Sequence, residues 1–162
     1  AGIPGAEFLP KKHLNIKSII VFLHGGGYCF GSSLTTHRLG VALMAKYTRI
    51  TCHSIDYRLA PEHPFPAALE DALLAWTEIV KSYPNCRLIL SGDSAGGGLA
   101  LALMMRIRDE GGRLPDDAIL FSPWTDLTCR GETYTTKARK DPMFSPSMPR
   151  DCSDYYLSLI HI

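Results

Sequence analysis

A short serine segment bounded by glycines, residues 92–96 with the sequence Gly-Asp-Ser-Ala-Gly, constrains the fold of this chain more than any other feature. A continuous apolar run at residues 88–90 precedes it, and small and apolar residues at helical spacing follow over residues 95–108. The pattern predicts a buried strand, a tight turn and a helix in immediate succession. Glycines are needed there because Cβ atoms would collide with the closely packed strand and helix. Such a turn lifts Ser94 clear of the sheet.

The rest of the chain alternates between strand and helix patterns. Apolar, β-branched runs predict buried strands at 18–23, 50–55 and 118–121, and residues 6–9 fit an edge strand. Helices are predicted at 37–47, with Thr35 or Thr36 as cap and Leu39, Leu43 and Met44 on one face, and at 67–82. This alternation indicates an α/β fold with a mostly parallel central sheet and flanking helices.

A second glycine-rich segment, residues 24–28 with the sequence His-Gly-Gly-Gly-Tyr, directly follows the first predicted buried strand. Consecutive glycines allow backbone N–H groups to point into a pocket, where they can stabilise an oxyanion. With the amide that follows the serine, the candidate donors are Gly26, Gly27 and Ala95, and Ser94 is the candidate nucleophile. Alone, the glycine segment also fits a flexible surface loop. Its pairing with the serine turn favours a catalytic site.

Composition excludes several classes of partner. The formal net charge is +1 and 20% of the residues are charged, so no strong field is available to bind nucleic acid or an anionic membrane. No apolar run reaches the ~18 residues of a membrane span. The five cysteines are widely spaced and form no CxxC pair, which argues against a disulfide framework or a zinc site. We expect a small-molecule partner, no metal, no cofactor and a reducing, cytoplasmic compartment.

Four motifs in order resemble the hormone-sensitive-lipase family of esterases in the α/β-hydrolase superfamily. They are residues 24–28, 56–63 (Asp-Tyr-Arg-Leu-Ala-Pro-Glu-His), 92–97 and 122–127 (Ser-Pro-Trp-Thr-Asp-Leu). The resemblance implies a carboxylic ester hydrolase that acts on a small ester and favours short and medium acyl chains.

The same resemblance implies roles for individual residues. Ser94 would be the nucleophile, the amides of Gly26, Gly27 and Ala95 would form the oxyanion hole, and His24, Gly25 and Asp93 would belong to the supporting loops. It also implies a helical cap, built partly by residues 137–157 and partly by an N-terminal segment. In the chain itself, residues 134–156 predict a helical excursion above the carboxyl edge of the sheet, where ligands enter.

The sequence differs from the family pattern in the base and the acid of the catalytic triad. In this fold the triad runs in the order serine, acid, histidine, and the only histidine after Ser94 is His161, next to the last residue. Asp126 could occupy an alternative acid position, whereas Asp93 is expected to fix the turn by hydrogen bonds. Of the histidines upstream of Ser94, four stay open as bases: His24, His37, His53 and His63. A non-catalytic small-molecule binding protein on the same fold is therefore the alternative.

The ends of the chain carry further expectations. Ala1 is not methionine, so we expect the natural chain to begin further upstream. Residues 157–162 match the translation of CTGTCTCTTATACACATC, the transposon end used in sequencing adapters. We interpret them as adapter-derived, which predicts that His161 carries no chemistry, and a native tail with the same sequence is the alternative. The expected organisation is an incomplete hydrolase domain over 1–156, with 126–156 as its cap-like part. A sheet that ends at 118–121 would leave an apolar, aggregation-prone edge.

Overall fold

A five-stranded sheet forms the centre of the computed structural model, which describes residues 2–10, 17–145 and 147–158. The strands are β1 (Gly5–Phe8), β2 (Ser18–Leu23), β3 (Thr51–Ile55), β4 (Arg87–Asp93) and β5 (Asp117–Phe121). Their order across the sheet is β1-β3-β2-β4-β5, with β1 antiparallel to β3 and every other pair parallel. The mostly parallel sheet is as predicted, and its parallel strands place their carboxyl ends at one edge.

Helices cover both faces of this sheet. They are α1 (Arg38–Thr48), α2 (Ala67–Ser82), α3 (Ser94–Asp109), α4 (Thr133–Thr136) and α5 (Met148–Leu157), with a 3₁₀ turn at Ala138–Lys140. Strand β2 is buried on both faces because its side chains alternate between two cores. Ile19, Val21 and Leu23 pack in the larger core with α2 and α3, and Ile20 and Phe22 pack in the smaller core with α1. The predicted α/β class is confirmed.

The start and buried face of α1 differ from the prediction. The helix begins after His37 as N-cap, with no side-chain cap hydrogen bond, and Thr36 instead accepts the Ser32 N–H at 3.1 Å. The threonines therefore close the preceding loop rather than cap the helix. Val41 and Ala45 are the buried residues of α1, whereas Leu39 is 71% exposed and Leu43 is 39% exposed.

The carboxyl-terminal region is irregular, and of its helical segments only the last has buried residues. Cys152, Ser153 and Tyr156 of α5 are buried, whereas α4 and the 3₁₀ turn bury no residue. The helix ends at Leu157, and Ser158 follows in the left-handed conformation. His161 and the rest of 159–162 lie outside the described residues.

Strand β5 is one margin of the sheet among the described residues. Its side chains are more exposed than those of the other parallel strands, and Ile119 and Phe121 are 47% and 49% exposed. The structure thus agrees with the predicted apolar edge at 118–121. Across the described ranges, no helix combines the length and the apolarity that would carry it through a lipid bilayer.

Candidate active site

The serine segment forms a sharp turn directly between β4 and α3. Asp93 is the last residue of the strand and is extended, with φ −117° and ψ 148°, and Ser94 follows as the first residue of the helix with φ +50°. A positive φ is unfavourable for a residue with a Cβ, and non-glycine residues held there mark strained turns. Ser94 is half-buried, so part of it faces solvent. The predicted strand, strained turn and helix are all present.

Close packing against the end of β2 explains the glycines around this turn. A Cβ at Gly96 would lie 2.1 Å from the Leu23 carbonyl oxygen and 2.5 Å from that of His24. A Cβ at Gly92 would lie 2.9 Å from the same Leu23 oxygen. These atoms belong to backbone, which has little room to shift, so only glycine fits. The serine turn is therefore pressed against the point where the glycine loop begins.

The glycine loop takes conformations that suit glycine. Gly26 has φ +119° and Gly27 has φ +61°. A Cβ at Gly26 would lie 1.9 Å from the Phe30 carbonyl oxygen, and the Cys29 N–H donates to the Gly26 carbonyl at 2.9 Å, so the loop folds back on itself. Both glycines are partly exposed, like Ser94. Main-chain groups at both positions are thus accessible to a ligand.

A single carboxylate joins the two segments. The Gly25 N–H donates to Asp93 Oδ1 at 2.8 Å, and His37 Nε2 lies 3.2 Å from the same carboxylate. The expectation that Asp93 fixes its own turn needs correction, because it makes no side-chain cap bond to α3. Its extended backbone directs the carboxylate towards the adjoining β2 end instead. Asp93 therefore links the serine turn to the glycine loop.

His24 is a buried, neutral support for this loop. Its Nδ1 lies 2.8 Å from the Gly25 carbonyl oxygen, which can only accept, so Nδ1 carries the proton. Burial lowers the pKa of His24, and the hydrogen bond to Gly25 only partly opposes that shift. Its ring stacks on Tyr57 at 4.3 Å, and the Tyr57 hydroxyl donates to the His24 carbonyl at 2.5 Å. Among the described residues, no partner meets His24 Nε2.

Three consecutive residues after β3 bind neighbouring segments, and two of them, Asp56 and Tyr57, support the glycine loop and the residues that follow it, a role that was not predicted from the sequence. Asp56 accepts hydrogen bonds from the Ser33 N–H at 2.6 Å and the Ser33 hydroxyl at 2.7 Å. Tyr57 supports His24, and the Arg58 guanidinium lies 2.9 Å from Asp71 on α2. Their position at a strand's carboxyl end, inside a recognised motif, is the signal that could have indicated this role.

Helix α5 packs on the glycine loop, at the carboxyl edge where the helical excursion was predicted. The Tyr28 and Tyr156 rings stack with centroids 3.8 Å apart, and the Phe65 N–H donates to the Tyr156 carbonyl at 2.7 Å. A Cβ at Gly27 would lie 2.8 Å from Cys152 Sγ. The helix therefore covers one side of the loop.

None of the histidines in the described part of the chain is hydrogen-bonded to the Ser94 hydroxyl. His24 and His37 bond as given above, His53 Nε2 lies 3.2 Å from the Tyr83 hydroxyl, and His63 is exposed.

The hydrogen bonds of Asp126 do not fit the role of a triad acid. Its carboxylate accepts the Thr128 N–H at 2.9 Å and the Arg130 N–H at 3.3 Å, inside its own turn. The Thr128 hydroxyl is the largest cause of its lowered pKa. Asp126 thus stabilises a turn, and no described histidine bonds to it.

Known proteins are similar to this chain in sequence. A family model described as an alpha/beta hydrolase fold matches residues 20–161. An acetyl-hydrolase from Streptomyces hygroscopicus is 38% identical over 167 residues, covering 97% of this chain and 56% of that protein. The hormone-sensitive lipase of Mus musculus is 32% identical over 163 residues, covering 94% of this chain and 21% of that protein.

The solved structures agree with these relatives. A homologue of hormone-sensitive lipase from a metagenome library superimposes with a TM-score of 0.90 at 35% identity, covering 96% of this chain and 53% of that one. The chain thus spans about half the length of this protein and of the acetyl-hydrolase. By the family model and by these neighbours, the chain belongs to the α/β-hydrolase fold family and is related to the esterases of the hormone-sensitive-lipase group.

Proposed function

We propose that the protein to which this chain belongs is a serine carboxylesterase, with Ser94 as nucleophile and the amides of Gly26, Gly27 and Ala95 as oxyanion hole. The observation that carries this proposal is the hydrogen bond from the Gly25 N–H to Asp93 Oδ1 at 2.8 Å. It joins the residue before the candidate donors to the residue before the candidate nucleophile. Two accessible segments, distant in sequence, are thereby held side by side.

The chemistry follows from this pairing. The Ser94 oxygen attacks the ester carbonyl carbon, its proton passes to a general base, and the carbonyl oxygen becomes an oxyanion that the backbone amides stabilise. Collapse of this intermediate breaks the ester bond and returns the proton to the departing alcohol. Water then releases the acyl group by the same steps and restores the serine.

The general base and the acid are proposed to come from the half of the protein that the relatives have and this chain does not span. The described histidines all lack a hydrogen bond to the Ser94 hydroxyl, which supports this placement. Helix α5, packed on the glycine loop, is proposed as part of a cap that limits the acyl group. Because a relative is named an acetyl-hydrolase, an acetyl ester is the first substrate to test.

The absence of a histidine bonded to Ser94 among the described residues also fits the alternative, a protein that binds a small ester without cleaving it. Both candidates use the same site residues and differ in turnover alone. Binding and hydrolysis must therefore both be measured on the same protein.

A chimera tests the proposal: this chain replaces the matching segment of the acetyl-hydrolase from Streptomyces hygroscopicus, and the hydrolysis of p-nitrophenyl acetate is followed. We expect turnover, and Ser94→Ala should lower kcat by about 10³-fold or more. Ser82→Ala, a serine exposed at the end of α2, is the matched control and should leave kcat unchanged. Equal activity in the two variants would overturn the assignment of Ser94. A chimera that binds the ester without cleaving it would favour the binding protein.

A further inference from the structure

His37 is the one described histidine that contacts the Asp93 carboxylate, and the proposed reaction gives it no role. It lies at the start of α1, so it belongs to neither of the segments that Asp93 joins. Its Nε2 lies 3.2 Å from the carboxylate and its Nδ1 lies 2.7 Å from Thr36 Oγ1. Both ring nitrogens therefore have a partner, which fixes the orientation of the ring.

The Asp93 carboxylate needs such a partner. Its side chain is 31% exposed, and it makes no cap bond to α3 that would hold it in place. In the described part of the chain, its side-chain hydrogen bonds go only to the Gly25 N–H and to His37. A Cβ at Gly25 would lie 2.3 Å from Asp93 Oδ2, so the carboxylate packs closely against the Gly25 backbone. Without His37, the Gly25 N–H would be the one described hydrogen-bond partner left to hold the carboxylate against rotation into water.

The glycine loop is sensitive to losing this contact. Gly26 and Gly27 have positive φ values, and glycine has more conformations to lose on ordering than any other residue. Catalysis by backbone donors depends on their being held in place before the reaction. Gly25 directly precedes the candidate donors Gly26 and Gly27. Its hydrogen bond to Asp93 therefore connects the serine turn to the loop right next to these donors.

We propose that His37 is a positioning residue, which holds the Asp93 carboxylate against the Gly25 N–H and thereby fixes the amides of Gly26 and Gly27 beside Ser94. This inference rests on the proposed esterase function. His37 acts through Asp93 and does not take the proton of Ser94. Loss of His37 would misplace the oxyanion donors, whereas loss of a general base would remove the acceptor of the Ser94 proton.

Kinetics of the chimera test this role with His37→Ala, His37→Gln and the control His63→Ala. Gln places an amide donor at about the reach of Nε2, so it should restore most of the activity. We expect His37→Ala to lower kcat about tenfold with little change in KM, a smaller loss than removal of an oxyanion donor causes. His63 is exposed in the segment between β3 and α2, and its variant should match the unsubstituted chimera.

Amide hydrogen exchange at Gly25, measured by NMR on the 162-residue chain, gives a second readout that does not depend on activity. We expect faster exchange at Gly25 in His37→Ala than in His63→Ala, and near-normal exchange in His37→Gln. An active chimera whose His37→Ala variant keeps its kcat, or unchanged exchange at Gly25, would overturn the role of His37 and leave the esterase proposal intact. A folded chimera without turnover would overturn the esterase proposal and the catalytic part of this role, while the exchange data would still decide whether His37 holds the loop.

Discussion

At the scale of single residues, the site depends on how closely three backbone segments approach one another. Gly96 in the first turn of α3 lies against the carbonyl groups of Leu23 and His24, at distances no side chain would tolerate. Such an approach brings the start of the glycine loop within hydrogen-bond reach of Asp93. A methyl group at this point would separate the serine from its proposed oxyanion donors.

Substitution of Gly96 by alanine should therefore destabilise the chain, although alanine is the better helix former. We expect the free energy of unfolding to fall by about 1–3 kcal/mol, the cost of overpacking a filled interior. The matched control is Gly40→Ala in α1, where a Cβ meets nothing within 4 Å and stability should rise by about 0.5–1 kcal/mol. Urea denaturation measures both. Similar unfolding midpoints for the two variants would show that the backbone yields at Gly96.

Some residues around the site were predictable from the sequence and others were not, and the difference has a physical cause. The glycine segment and the serine turn were predictable because local spacing and the preceding apolar strands determine where they lie. The contacts of His37, Asp56 and Tyr57 were not, because each depends on which segments the folded sheet brings together. A histidine outside any recognised motif gave no local signal for its contact with Asp93.

At the scale of elements, the hydrophobic pattern predicted the positions of the buried strands and of the helices packed on them. The buried face of a helix was predicted less well where the helix packs against the sheet on one side only. The prediction for 67–82 coincides with α2, and the prediction for 18–23 coincides with β2. The apolar face of α1 was wrong at Leu39 and Leu43, because the helix contacts the smaller core through Val41 and Ala45. Helical spacing alone does not decide which of two adjacent apolar stripes faces the sheet.

Strand β5 makes an element-scale prediction about solubility. It pairs with β4 on one side and is the sheet margin among the described residues, with Ile119 47% exposed. Exposed apolar strand edges pair with other chains, and a lysine on the edge opposes this. We expect Ile119→Lys to raise the concentration at which the chain stays monomeric in sedimentation velocity. Leu39→Lys removes an apolar side chain that is 71% exposed on a helix and should have less effect. An equal gain from both would point to general hydrophobicity instead of the edge.

At the scale of the whole molecule, the chain contains the serine turn and the glycine loop but spans about half the length of the acetyl-hydrolase and of the metagenomic homologue. Ordered packing continues from the sheet through α2 and α3 to α5, which stacks Tyr156 on Tyr28 of the glycine loop. The proposed oxyanion hole and the proposed proton relay therefore depend on different parts of the protein. Because of this division, the two functions can be tested separately.

The 162-residue chain by itself should show little hydrolysis of p-nitrophenyl acetate. An unassisted serine is a weak nucleophile, and no histidine in the described ranges is hydrogen-bonded to its hydroxyl. We expect turnover far below that of the chimera with the acetyl-hydrolase, and His161→Ala should change nothing, as the interpretation of residues 157–162 requires. Because the oxyanion donors would still be present, the chain should nevertheless bind the ester, which titration calorimetry with a slowly hydrolysed amide analogue would detect. Turnover equal to that of the chimera would show that this chain supplies its own base, and its loss in His161→Ala would identify that base as His161.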